Sequence, residues 1–310
     1  MQVFGIVFPG QGSQSVGMLQ DVATMHPEIE ETYIDASVAL GYDLWKLVKE
    51  GPSEKLDQTV YTQPALLAGG YALYKILQKI GIKPSILAGH SLGEYTALVA
   101  AGSLSFQDAV KLVAARGEFM QEAAPAGVGA LAAIVGLEDE KVYALCKEIA
   151  RPGEVLSPAN INSPGQIVIA GHHDAVLRAT DAAKIAGAKL AKVLPVSVPS
   201  HCDLMKPAAE KLKSLLMTIQ IEKPSIKTLN NVDVQSYQSA EQIRDGLYRQ
   251  LFMPVRWVEI IQTFKKEGVT NIIECGPGKV LSGLNRRIDS TLQLMYTSDN
   301  SGLQAITSGV

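Results

Sequence analysis

Apolar residues fall along this 310-residue chain in two distinct rhythms. Short runs dominated by them, Val3 to Phe8, Ile86 to Ala88 and Asn271 to Cys275, have the form of strands buried on both faces. The first is stopped by Pro9-Gly10, a turn signal. Longer stretches with helical period lie between them, at Pro64 to Ile80, Ser105 to Ala123 and Lys206 to Met217. Buried strands alternating with helices predict a mostly parallel sheet covered on both sides.

The middle of the chain has a different order. It predicts strands at Gly129 to Val135, Val155 to Asn162, Gln166 to Ala170 and Leu190 to Val196, with helices over Asp139 to Ala150 and Asp174 to Ala186. That β-α-β-β-α-β sequence is the ferredoxin-like split unit. The expected fold class is therefore α/β, a large α/β-hydrolase-like domain with an inserted small ferredoxin-like domain. The large domain takes residues 1–125 and 197–310, the small one 126–196, with a cleft where they meet. The tail after Asp299 reads as a weakly held end.

Composition narrows the classes. With 47% apolar residues the chain can bury a large core, and 28 basic against 31 acidic residues give a net charge of −3, which argues against general nucleic-acid binding. Three dispersed cysteines indicate neither a disulfide framework nor a zinc site. The N-terminus lacks the basic lead and long apolar run of a signal peptide, and no segment reaches membrane-span length. A cytoplasmic protein without membrane attachment is expected. Locally the balance differs, because Ala183 to Asn230 carries eight lysines and three acids. That excess reads either as a solvated face or as a docking patch for a small acidic protein.

Candidate chemistry centres on Gly89-His90-Ser91-Leu92-Gly93, which follows a predicted strand and precedes a predicted helix. This is the context of a G-x-S-x-G nucleophile elbow, in which a sharp turn lifts the serine hydroxyl clear of the backbone. A serine nucleophile needs a base. Of the five histidines, His90 adjoins Ser91 and should diverge from it, while His26, His172 and His173 read as surface. His201 follows the proline-held segment Pro195 to Pro199, where the chain re-enters the large domain, and is the best candidate. No aspartate presents itself as third member of a triad, so a backbone carbonyl could orient the imidazole.

Arg116 falls in the middle of an apolar stripe formed by Ala109, Leu112, Val113 and Met120. Such an arginine is either half of a structural ion pair or a guanidinium fork awaiting a carboxylate. Gly10-Gln11-Gly12-Ser13-Gln14 fails as a nucleotide loop, since the third glycine is missing and no P-loop lysine follows. It fits better as a source of backbone N–H groups for an oxyanion.

Pro9 to Gln14, Gly89 to Tyr95, Arg116-Gly117, Asn160 to Gln166, Pro199-Ser200-His201 and Gly276-Pro277-Gly278 occur in this order. Together they closely resemble the bacterial malonyl-CoA:acyl carrier protein transacylases of type II fatty acid synthesis, over nearly the whole length. The resemblance implies ping-pong transfer of malonyl from coenzyme A to the phosphopantetheine thiol of an acidic, transiently bound acyl carrier protein. Ser91 and His201 would be catalytic, backbone N–H groups of Gln11 and Leu92 the oxyanion hole, Arg116 the carboxylate site, and the Gln250 carbonyl the orienter of the histidine. Asn160, Asn162 and Ser200 would line the cleft. No metal and no tightly bound cofactor are expected, and the chain is expected to act as a monomer. A serine hydrolase or thioesterase using the same elbow is the alternative.

Overall fold

A computed structural model describes residues 3–125, 127–195 and 198–309. The domain junctions expected at Ala126 and at Val196 and Ser197 lie outside the described residues, as does the predicted end of the strand reaching Val196.

Among the described residues nine strands form two sheets. β1 (Phe4–Phe8), β2 (Pro84–Gly89), β7 (Lys227–Leu229), β8 (Asn271–Glu274) and β9 (Gln293–Tyr296) make a wholly parallel sheet in the order β7-β2-β1-β8-β9. Alternation along these strands explains the unbroken apolar runs. Ile6, Phe8, Leu87 and Ile273 pack beneath helices Glu28–Leu40, Thr59–Lys79, Gly93–Ala100 and Phe106–Ala123. Val7, Ile86, Ala88 and Ile272 pack on the other side, against Trp257–Lys266 and Val280–Ile288. Because the sheet is parallel, the loops after β1, β2, β7 and β8 all leave from one edge, where such sheets bind ligands.

The second sheet contains β3 (Gly129–Val135), β4 (Leu156–Ser163), β5 (Gln166–His172) and β6 (Leu190–Val193) in the antiparallel order β4-β5-β3-β6. Ala130, Ala132 and Ile134 face helices Asp139–Ile149 and His173–Ile185. Leu131, Val168 and Ala170 point the other way, toward Cys202. Backbone hydrogen bonds join β4 to the parallel sheet's half: Val255 N–H donates to the Ala159 carbonyl and Ile161 N–H to the Val255 carbonyl, both at 2.9 Å.

Two expectations need correction. The helix expected from Pro64 begins at Thr59, so Pro64 lies inside it and Gln63 becomes a buried helical residue. The tail is also well held. Residues Asn300–Gly309 form a helix whose start is fixed by Asp299, which accepts from Gly302 N–H at 2.8 Å, and whose Leu303 and Ile306 are buried. Among the described residues no helix is long and apolar enough to cross a membrane.

Candidate active site

The turn after β2 places Ser91. Its φ of 51° lies in the left-handed region that non-glycine residues seldom occupy. The flanking glycines serve close approach rather than positive φ: a Cβ on Gly89 would stand 1.8 Å from the Gly93 carbonyl carbon, and one on Gly93 2.0 Å from the Phe8 carbonyl oxygen. Strand, turn and helix are thus pressed together until only glycine fits, and the serine carries the strain.

His201, itself at φ 63°, reaches across from the other part of the chain. Its Nε2 lies 2.8 Å from Ser91 Oγ and its Nδ1 2.7 Å from the Gln250 carbonyl oxygen. A carbonyl can only accept, so Nδ1 carries the proton and Nε2 faces the serine as an acceptor. Burial, and then the Arg116 charge, push the imidazole down to about 3, which keeps it neutral and proton-accepting at ordinary pH. Next to it, the buried Cys202 thiol is pushed up to about 12 by desolvation and is a poor nucleophile.

Arg116 is fully buried on helix Phe106–Ala123. It forms no direct salt bridge among the described residues. Instead it donates to neutral oxygens: Gln63 Oε1 at 2.8 Å, Gln250 Oε1 at 3.1 Å and Ser91 Oγ at 3.3 Å. Among the described residues its Nε has no hydrogen-bond partner, and the guanidinium carbon lies 5.4 Å from the centre of the Tyr95 ring. A buried guanidinium with only neutral acceptors retains the capacity to bind an anion.

A cleft between the two sheets is lined by Gln11, His90, Ser91, Asn160, Asn162, Ser200 and His201, with Leu131, Val168, Leu194 and Leu281 as apolar wall. Among the described residues no protein acceptor takes the backbone N–H of Gln11 or Leu92. Both sit beside the nucleophile, and Leu92 is the residue before helix Gly93–Ala100, whose positive end favours a developing oxyanion. The His90 ring diverges from Ser91, with Nε2 2.8 Å from Asn162 Oδ1 and the imidazole tilted against Trp257. Asn160 lies on β4 with its side chain in the cleft. The structure therefore brings Ser91, His201, Gln11, Asn160, Asn162 and Ser200 to the cleft, and stations Arg116 and Gln250 immediately behind the serine.

Several participants were not anticipated from sequence. Asn231, just after β7, accepts from Ser91 N–H at 2.8 Å and donates to the Gly89 carbonyl at 2.6 Å, clamping both sides of the elbow. Gln250 contributes a side chain as well as its carbonyl: its amide donates to the Ser91 carbonyl at 2.9 Å and to Glu94 at 2.8 Å. Gln63 and Tyr237 complete the buried polar layer. The only sequence signal for Asn231 is an Asn-Asn pair closing a short strand.

Of the lysine-rich segment, Lys184, Lys206, Lys211 and Lys227 are each paired with a carboxylate, so half of its positive charge is locally compensated. Among the described residues no group of three or more His, Cys, Asp or Glu is arranged to hold a metal ion.

Comparison with known proteins gives one consistent answer. Residues 5–292 match the acyl transferase domain family. The malonyl CoA-acyl carrier protein transacylase of Escherichia coli K12 is 54% identical over 306 residues, covering 98% of this chain and 99% of that protein. Its counterpart from Bacillus subtilis is 44% identical over 96% of this chain and 94% of its own length. Among solved structures, a malonyl-transacylase in complex with its type II PKS acyl-carrier protein superposes with a TM-score of 0.98 at 52% identity, both chains being fully covered. The malonyl CoA-acyl carrier protein transacylase of Coxiella burnetii superposes with a TM-score of 0.97 at 48% identity, over 99% of this chain and 97% of that one.

Proposed function

The chain belongs to the malonyl CoA-acyl carrier protein transacylases, within the acyl transferase domain family, and from that premise we propose that it moves malonyl from coenzyme A to a carrier-protein thiol through an ester on Ser91. The observation that carries the reading is the convergence on one hydroxyl: Ser91 Oγ has the His201 acceptor at 2.8 Å and the Arg116 guanidinium at 3.3 Å.

In the first half-reaction His201 Nε2 takes the Ser91 proton as Oγ attacks the thioester carbonyl carbon. The developing oxyanion is met by the N–H groups of Gln11 and Leu92. The carbon–sulfur bond breaks, and the coenzyme A sulfur leaves with the proton from His201. In the second, the phosphopantetheine thiol gives its proton to His201 and its sulfur attacks the ester carbonyl. Ser91 leaves and recovers its proton from the imidazolium. The Gln250 carbonyl supports that imidazolium as an aspartate would in a triad, without adding a charge.

Arg116 supplies selection. A malonyl group joined to Ser91 carries a free carboxylate, which the half-spent guanidinium grips with charge-assisted hydrogen bonds. The same carboxylate offsets the cation that depresses His201, so the correct substrate also makes the base stronger. Both substrates bring their own thiol carriers, coenzyme A and phosphopantetheine, and no tightly bound cofactor or metal enters the scheme. The rest of the reading is a cytoplasmic, monomeric enzyme of two domains, the smaller, spanning about residues 126–196, forming the cleft's outer wall.

Hydrolysis by the same elbow is separated by product. The enzyme given malonyl-CoA and carrier protein should yield malonyl-carrier far in excess of free malonate. Free malonate as the main product, with carrier present and unacylated, would sink the transferase reading.

A further inference from the structure

Behind Arg116 lies a second buried ionisable group that the proton transfers do not use. Glu94, on the first turn of helix Gly93–Ala100, is fully buried. One carboxylate oxygen accepts from the Tyr237 hydroxyl, the other from Gln250 Nε2 at 2.8 Å and Asn231 N–H at 3.1 Å. Every donor is neutral, just as every acceptor on Arg116 is neutral. The Gln250 amide stands between them, taking Arg116 Nη2 on its oxygen at 3.1 Å and giving its N–H to Glu94.

An isolated buried charge is strongly unfavourable, so each of these would be costly without the other. Direct contact would solve that differently. A carboxylate against a guanidinium takes the fork with two parallel hydrogen bonds, leaving little for a third party. An amide in between passes the polarisation on while occupying one position. We infer that Glu94 is the counter-charge of Arg116, held one amide away so that the cation stays compensated while its fork remains open to a substrate carboxylate. Glu94 is then a positioning residue that sets how strongly the site holds an anionic acyl group. The inference rests on the malonyl-binding reading above.

Equilibrium binding on a Ser91→Ala background tests it without turnover. Glu94→Gln keeps the side-chain volume; its oxygen can accept from Gln250 and Asn231 while its amide faces a Tyr237 hydroxyl turned to accept. Measurements belong well above neutral pH, where the Glu94 carboxyl, lifted to about 7 by burial, is ionised. Removing the counter-charge should tighten malonyl-CoA binding by roughly ten-fold and leave acetyl-CoA binding unchanged. Tyr237→Phe deletes a hydrogen bond to the same carboxylate but keeps its charge, and should produce no malonyl-selective change. An equal effect on both thioesters, unchanged or weaker malonyl binding in Glu94→Gln, or the same tightening in Tyr237→Phe would overturn the inference.

A urea-unfolding cycle of Glu94→Gln, Arg116→Met and the double variant covers the case in which the first does not fold. Coupled charges require Arg116→Met to offset the defect of Glu94→Gln, so that the double variant folds where the single one fails. Simple addition of the two losses, or a double variant no better than the single one, would refute the pairing. Unfolding needs no substrate, so a wild-type protein that took no malonyl would sink the functional reading alone.

Discussion

The two walls of the cleft are built on opposite principles. On the parallel-sheet side, charge and strain are concentrated: Ser91 and His201 both hold left-handed backbone, and Arg116 and Glu94 are buried without a direct ionic partner. On the antiparallel side stand an apolar surface and two amides, Asn160 and Asn162, on β4, whose register against β5 shifts between Pro158 and Asn160 and between Ile161 and Ser163. A parallel sheet sends several loops to one edge, so residues far apart in sequence converge there; the antiparallel unit spends its polar backbone on its own ladders and, through β4, on Val255, and offers a shaped cover. Chemistry should therefore be lost by changes on the first wall, and only affinity by changes on the second.

The sharpest break in that contrast should come from His201→Ala, which removes the proposed base. Acylation of Ser91, followed by rapid-quench, should slow by on the order of 10²- to 10⁴-fold. Arg116→Met comes next and is selective. Its kcat/KM for malonyl-CoA should fall by an amount equivalent to about 2–4 kcal/mol, with much less change for acetyl-CoA. It also moves the pH profile: a neighbouring cation holds the imidazole down, so its removal raises the His201 pKa and shifts the acid limb for acetyl transfer to higher pH. An unmoved limb would show that burial alone sets the base.

Asn231→Ala leaves the Ser91 N–H and the Gly89 carbonyl without their partner. Stability in urea should drop by about 1–3 kcal/mol, with kcat reduced more than KM because the elbow loosens. The smallest effect is expected from Asn162→Ala on the antiparallel wall. Loss of its contact with His90 should raise KM for malonyl-CoA by less than about ten-fold while kcat is kept. A kcat loss there comparable to that of Arg116→Met would erase the distinction between the walls.

The stability profile carries a further sign. His201 is buried neutral with its pKa near 3, against about 6.5 when unfolded. The unfolded chain therefore takes up a proton first as pH falls, and stability is lost progressively between about 6.5 and 3. His201→Gln should flatten that decline in urea unfolding measured across the same window.

Local signals carried much of this to the surface of the sequence. The run Val3 to Phe8 and the β-α-β-β-α-β order announce both sheets, because strand and helix periods are properties of neighbouring residues. Ser91 shows through its glycines and Arg116 through its misplaced charge on an apolar stripe. What stayed hidden depends on contacts between distant segments. Asn231 meets Ser91 across 140 positions, Tyr237 meets Glu94 across 143, and no spacing rule links them. Gln63 is hidden because Pro64 reads as a helix start, whereas the helix begins at Thr59, with Thr59, Thr62 and Gln63 buried ahead of the proline. The terminal helix was overlooked since Leu303 and Ile306 are its only large apolar residues, and both are buried. The lysine count overstated the free charge, as its carboxylate partners lie largely outside the segment.

The proposed covalent step on Ser91 is open to a direct mass measurement of the intact protein after exposure to malonyl-CoA. One malonyl group should be added to the wild-type chain, be removed by added coenzyme A or carrier protein, and be absent from Ser91→Ala. A wild-type protein of unchanged mass, or an adduct that persists when Ser91 is replaced, would contradict transfer through this serine.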